Sequence, residues 1–234
     1  MKKLTKQVKL AAALAMGIAA GFLIPTNAAF AESQSYEQLS GEWWQWALSM
    51  PVADNPLADA TGEKCMVGQR GSTWFLAGTF GTSTATRECS IPADATLFFP
   101  VINSVAFDTP NACGQDPTPL PSAFYRGLAA DFINGATNLS VLVDGKLIRQ
   151  LHRVKSKVFD VALPEDNLFA AVCEPYGGLP AGIYSPAIDD GIYVRLNPLA
   201  VGPHTLQIHA ENPSAAGFVL AVTYHLEVVP VVSR

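Results

Sequence analysis

The chain lacks the short motifs that announce common chemistries. It has no GxSxG nucleophile elbow, no HExxH pair and no phosphate loop; Gly78-Thr79-Phe80-Gly81 lacks the Lys-Ser/Thr such a loop needs. Histidines number only four, cysteines four, and no CxxC spacing occurs, which removes the usual zinc frameworks. Charged residues make up 15% of the chain. No run beyond residue 31 reaches the ~18 uncharged apolar residues of a membrane span. No internal repeat is visible. Without a nucleophile motif, a metal framework or a cofactor fingerprint, the sequence names no reaction, and no cofactor is expected.

What is present begins with a leader. Lys2, Lys3, Lys6 and Lys9 precede an uncharged stretch over residues 10–25, and Ala29-Phe30-Ala31 supplies a small-x-small pattern before Glu32. This reads as a Sec-type signal peptide, 1–31, cleaved after Ala31, ahead of a single domain, 32–234. The leader holds four of the fifteen cations and none of the twenty acids, so its loss moves the formal charge from −5 to −9. A nucleic-acid binder needs a basic surface, so nucleic acid is excluded as a partner. The expected location is secreted or periplasmic.

All four cysteines, Cys65, Cys89, Cys113 and Cys173, follow the leader. An even thiol count in an oxidising compartment favours disulfides over metal ligation. Of three possible pairings, Cys65–Cys89 with Cys113–Cys173 is expected, because the first pair brackets one hairpin-like segment.

Ser35-Tyr36-Glu37-Gln38 fits a capping box for a helix that Pro51 stops. Its core stripe is Tyr36, Leu39, Trp43, Trp46, Ala47 and Met50. Trp44 and Leu48 form a second small apolar face, which either packs under a loop or contacts a ligand. A second helix is expected from Ser122 to about Asn134, with Phe124, Leu128 and Phe132 at i, i+4, i+8. Elsewhere short apolar runs alternate with Gly and Pro turns. A strand at Thr73–Ala77 returns through Gly78 and Gly81 towards Cys89. Leu97-Phe98-Phe99 reads as buried on both faces, with Pro100 marking a bulge or an edge. Asp144-Gly145 marks a hairpin, a strand follows from Arg153 to Val161, and long strands His204–Ala210 and Phe218–Val229 close the chain. The fold class is mainly β: an antiparallel β-sandwich, with a jelly roll as one form, and two short peripheral helices.

Lys146, Arg149, Arg153, Lys155 and Lys157 gather five cations within twelve residues. Arg153, Lys155 and Lys157, with His152 nearby, make a ridge that either binds an anionic polysaccharide or guards a sheet edge. Asp189-Asp190-Gly191 sits in an expected loop and is a weak calcium candidate. The remaining histidines, His204, His209 and His225, read as structural.

Trp43-Trp44-Gln45-Trp46-Ala47-Leu48-Ser49-Met50-Pro51 and the run from Gly68-Gln69 through Trp74-Phe75-Leu76-Ala77-Gly78-Thr79-Phe80-Gly81 resemble a family of uncharacterised predicted secreted bacterial proteins. Phe98-Phe99-Pro100 and Gly202-Pro203-His204-Thr205-Leu206 fit the same likeness. It implies export and one domain, and carries no activity or site residue.

Three readings follow. The first is an exported binding or cell-surface matrix protein acting through carbohydrate. The second is a secreted polysaccharide hydrolase or lyase using carboxylates of loops 52–71 and 108–121, drawn from Asp54, Asp59, Glu63, Asp108, Asp116 and Glu174. The third is a structural subunit that self-assembles through a sheet edge.

Overall fold

Apolar residues on both faces of one strand require cover on both sides, and Leu97, Phe98 and Phe99 are all fully buried. The computed structural model describes residues 34–81 and 83–231, so the expected leader and its cleavage point lie outside the described residues. The chain is mainly β, and the described residues form two five-stranded sheets and three α-helices. One sheet contains β1 (Thr73–Phe75), β3 (Thr96–Phe107) and β8 (Gly182–Leu196), with β6 (His152–Lys155) and β7 (Phe159–Leu163) both paired to β8. The other runs β2 (Ser83–Pro92), β10 (Phe218–Val229), β9 (Gly202–Asn212), β4 (Thr137–Val143), β5 (Lys146–Leu147). The helices are α1 (Tyr36–Leu48), α2 (Ser122–Asn134) and the single turn α3 (Ala170–Cys173).

One core lies between the sheets, uniting Leu97, Phe99 and Val194 with Leu206, Val222 and Leu226. A second lies on the outer face of the β3–β8 sheet, where Phe98 and Tyr193 meet Trp43, Ala47 and Leu48 of α1. α1 therefore forms a third layer on the outer face of that sheet, outside the sandwich. Ser35 caps its first turn by accepting from the Gln38 N–H, and the Asn55 amide donates to the carbonyls of Ala47 (2.7 Å) and Met50 (3.0 Å) at its end. The register shift at Pro100/Ile102 is the bulge that proline announced, and it lets both Val101 and Ile102 join the inter-sheet core.

Pairing is antiparallel except at one edge of each sheet, where β1 runs parallel to β3 and β2 parallel to β10. β1 and β2 do not form the expected hairpin, because the glycine turn carries the chain across the sandwich into the other sheet. The Ala77 peptide finds its partners there. Its N–H donates to the Tyr224 hydroxyl, and its carbonyl accepts from that hydroxyl and from Arg87 Nη1. The Asp144-Gly145 hairpin forms as read, both residues having positive φ. In the last hairpin His204 pairs with Leu226, and Tyr224 with Leu206.

α2 buries Tyr125, Ala129 and Ile133, one position along from the expected stripe, and leaves Phe124 and Leu128 about half exposed. The disulfides are Cys65–Cys89 and Cys113–Cys173, the expected pairing. Each staples one of the two long irregular loops to another part of the fold.

Candidate functional site

The cationic ridge is built differently from its sequence reading. The expected strand Arg153–Val161 is interrupted between β6 and β7, and both pieces lie along β8. Arg153 is committed to Asp190, donating from Nε and Nη2 at 3.0 Å each to the two carboxylate oxygens. That bidentate pair fixes the guanidinium and raises its pKa. Lys155 and Lys157 remain exposed, with no acid within ion-pair distance among the described residues. His152 is exposed and tilts against the Tyr36 ring at 4.7 Å. Lys146 belongs to the other sheet, so the five cations do not form one patch on one sheet.

Asp189 and Asp190 lie mid-strand in β8, not in a loop, and both are buried. Asp190 is held by Arg153, and no cluster of metal-ligating side chains occurs among the described residues. The calcium reading assumed a loop, and that placement is corrected: both carboxylates are buried within a strand. Trp44 and Leu48 are also buried, at 6% and 1% exposure, so the second face of α1 packs inward. The Trp44 indole donates to Asp189 Oδ1 at 2.7 Å, and the Tyr193 hydroxyl donates to the same atom at 2.9 Å while accepting from the Asn103 amide. Oδ2 has no partner in hydrogen-bond geometry, although the Ser40 hydroxyl lies near the carboxyl. Burial pushes the Asp189 carboxyl up to about 8, against the pull of the hydrogen bonds from Trp44 and Tyr193. Gly191 makes room for this cluster, since a Cβ there would stand 2.6 Å from the Tyr193 ring and 2.7 Å from Asn103 Cβ.

Two of the loop carboxylates, Asp59 and Asp108, hold local structure. Asp59 accepts from the backbone N–H groups of Thr61 and Lys64 and closes its own turn. Asp108, 2% exposed, accepts from the Tyr125 hydroxyl (2.6 Å), the Gln115 amide and the Leu120 N–H (3.2 Å). Burial alone would raise the Asp108 carboxyl, but those three donors outweigh it and hold the pKa below the ordinary value. Asp54 pairs loosely with Lys64 at 3.6 Å, and Asp116 and Glu174 are exposed.

An open cavity of about 950 Å³ was not foreseen from sequence. α1 supplies Glu42, Gln45 and Trp46, its C-cap Ser49 follows, and the segment 68–73 adds a further wall. Asp160 and Ala162 of β7 and the 76%-exposed Ile183 complete it. Trp46 and Phe75 are in aromatic contact at 5.7 Å and give the cleft an apolar part. Gly68 allows the loop to lie against Trp46, since at its φ of +70° a Cβ would stand 3.1 Å from the indole. Gln69 ties that loop down, its amide donating to the Cys65 and Phe75 carbonyls and its oxygen accepting from the Phe75 N–H. The polar side chains are held too. Glu42 accepts at both oxygens from Gln34 and also from Gln38, and Gln45 donates to the Asp160 carbonyl at 3.0 Å. The one sequence signal for this wall was the polar run on α1, where Glu42, Gln45 and Ser49 lie at i, i+3, i+7. The other contributors are distant in sequence. Compared with family models, curated proteins and solved structures, the chain matches none of them.

Proposed function

We propose that the chain is an exported binding protein whose cleft takes a neutral, polyhydroxylated ligand such as a stretch of carbohydrate chain. The carrying observation is the cleft itself: the aromatic pair Trp46 and Phe75 lies beside Gln34, Glu42 and Gln45, which hydrogen bonds hold in place, and the exposed Arg70 and Asp160 also line the space. Sugars present hydroxyls around their edges and C–H faces above and below, and this mixture of surfaces suits both. With two acids and one cation on its walls, the cleft favours an uncharged ligand over an anionic one. Both Glu42 oxygens already accept hydrogen bonds, which supports holding a ligand over proton transfer to it. The two disulfides and the leader pattern support an oxidising compartment outside the cytoplasm.

Tryptophan fluorescence titrated with neutral and acidic oligosaccharides tests this, because Trp46 lines the cleft. We expect saturable binding of a neutral oligosaccharide, weakened about tenfold by Gln45→Ala or Arg70→Ala with thermal stability unchanged. Absence of a saturable response, or affinity indifferent to both variants, rejects the cleft. Retention on acidic polysaccharide that disappears on charge reversal of Lys155 and Lys157 would instead move the site to the ridge.

A further inference from the structure

A second cavity, about 490 Å³, shares no lining residue with the cleft. It lies between the N-terminal half of β2, the turn around Ala58–Ala60 and the segment 166–171. Arg87 is among its walls and is 1% exposed. Nε donates to the Asp59 carbonyl (2.8 Å), and Nη1 donates to the Ala77 carbonyl (2.7 Å) and the Tyr224 hydroxyl (2.8 Å). Every one of these partners is neutral. The guanidinium also lies 5.4 Å from the Tyr224 ring centroid. Nη2 is buried and has no partner, and no carboxylate among the described residues lies within ion-pair distance of Arg87. Asp59 turns its carboxylate to Thr61 and Lys64 and shows Arg87 only its carbonyl. A buried cation without a counter-charge is an expensive arrangement for a structural clamp, since a neutral side chain could bond two carbonyls at lower desolvation cost.

We infer that this cavity is a binding site for a small organic carboxylate with an apolar body, its carboxylate accepting from Arg87 Nη2. The walls define that class. Leu57, Phe80, Ala85, Leu168 and Ala170 are apolar, while Thr79 and Ser83 add hydroxyls. Asp59 and Asp166 also border the space, which disfavours a dianion such as phosphate against a singly charged group. With Nε and Nη1 engaged, Nη2 is the nitrogen left to donate, and a carboxylate oxygen is its strongest complement through a charge-assisted hydrogen bond.

Calorimetric titration of the disulfide-bonded protein with benzoate and hexanoate tests the assignment, with benzyl alcohol and inorganic phosphate as controls. The expected result is one-to-one binding of benzoate or hexanoate, at least about tenfold tighter than benzyl alcohol. Arg87→Met should abolish that preference. Because Arg87 also clamps Ala77, a variant that leaves it intact is needed: Ala171→Trp, at an exposed position of the cavity wall, should block binding while the circular dichroism spectrum and Tm stay unchanged. Absence of saturable binding by both carboxylates, equal affinity for benzyl alcohol, tighter binding of phosphate, or unaltered binding in folded Ala171→Trp would each overturn the inference. Oligosaccharide titration of Ala171→Trp reads the cleft separately, so failure of one site is not failure of the other.

Discussion

Asp189 is sealed between α1 and β8 with one oxygen unpartnered, so the folded chain holds its proton far more tightly than the unfolded chain does. The direction of the effect on stability follows from linkage. A carboxyl raised to about 8 in the fold from 3.8 contributes fully below pH 3.8, and its contribution is lost as pH rises through about 8. Across that window it tilts stability downward by about 1.4 kcal/mol per pH unit. Asp189→Asn keeps the shape and an acceptor for Trp44 and Tyr193 while removing the titration. Urea unfolding between pH 5 and pH 8 should show that slope diminished in the variant, with the variant the more stable protein at pH 8. Identical pH profiles would mean that the carboxyl is ionised in the fold. From sequence Asp189 read as a loop acid, because an Asp-Asp-Gly triplet is unusual within a strand. The interior position is tenable because Tyr193, four residues along the strand, and Trp44, 145 residues away in the chain, both donate to it.

The helices show where periodicity informs and where it misleads. Every residue of the predicted α1 stripe other than Tyr36 is buried, and so are Trp44 and Leu48, because the helix lies in a trough between the sheet and the loops after it. In α2 the apolar spacing of Phe124 and Leu128 pointed to the wrong face. Tyr125 is drawn inward by the Asp108 carboxylate and Ile133 by the inter-sheet core, and both contacts come from outside the helix. Phe124→Ser and Leu128→Ser should each change unfolding free energy by less than about 0.5 kcal/mol. Ile133→Ala should cost about 2–5 kcal/mol. Chemical denaturation of the three variants checks this, and equal losses would contradict the observed face. Strands were more legible than helices: β10 occupies the span its alternation marks, and the Pro100 bulge sits where the sequence put it. The parallel edge pairs were not legible, because they depend on which sheet a turn delivers its strand to.

For the molecule as a whole, the cysteine pairing was readable from compartment and spacing, and the cleft was not, since its walls come from α1, the 68–73 loop, β7 and the start of β8. The Cys65–Cys89 link closes 24 residues and the Cys113–Cys173 link 60. Replacing either pair by alanines should lower stability by roughly 3–4 kcal/mol in the loop-entropy account. Guanidinium unfolding of oxidised and paired-alanine proteins measures it, and a loss near zero would show that the loops hold without sulfur. The sheet margins carry a different consequence. β1 spans 3 residues, β5 only 2, and β6 and β7 break between themselves. The turn at residues 59–65 lies against β2, where the Glu88 N–H donates to the Thr61 carbonyl. Among the described residues, an intruding chain would meet short or broken margins on the β3–β8 sheet and, along β2, a row interrupted at Glu88, which makes each of these edges a poorer template to copy.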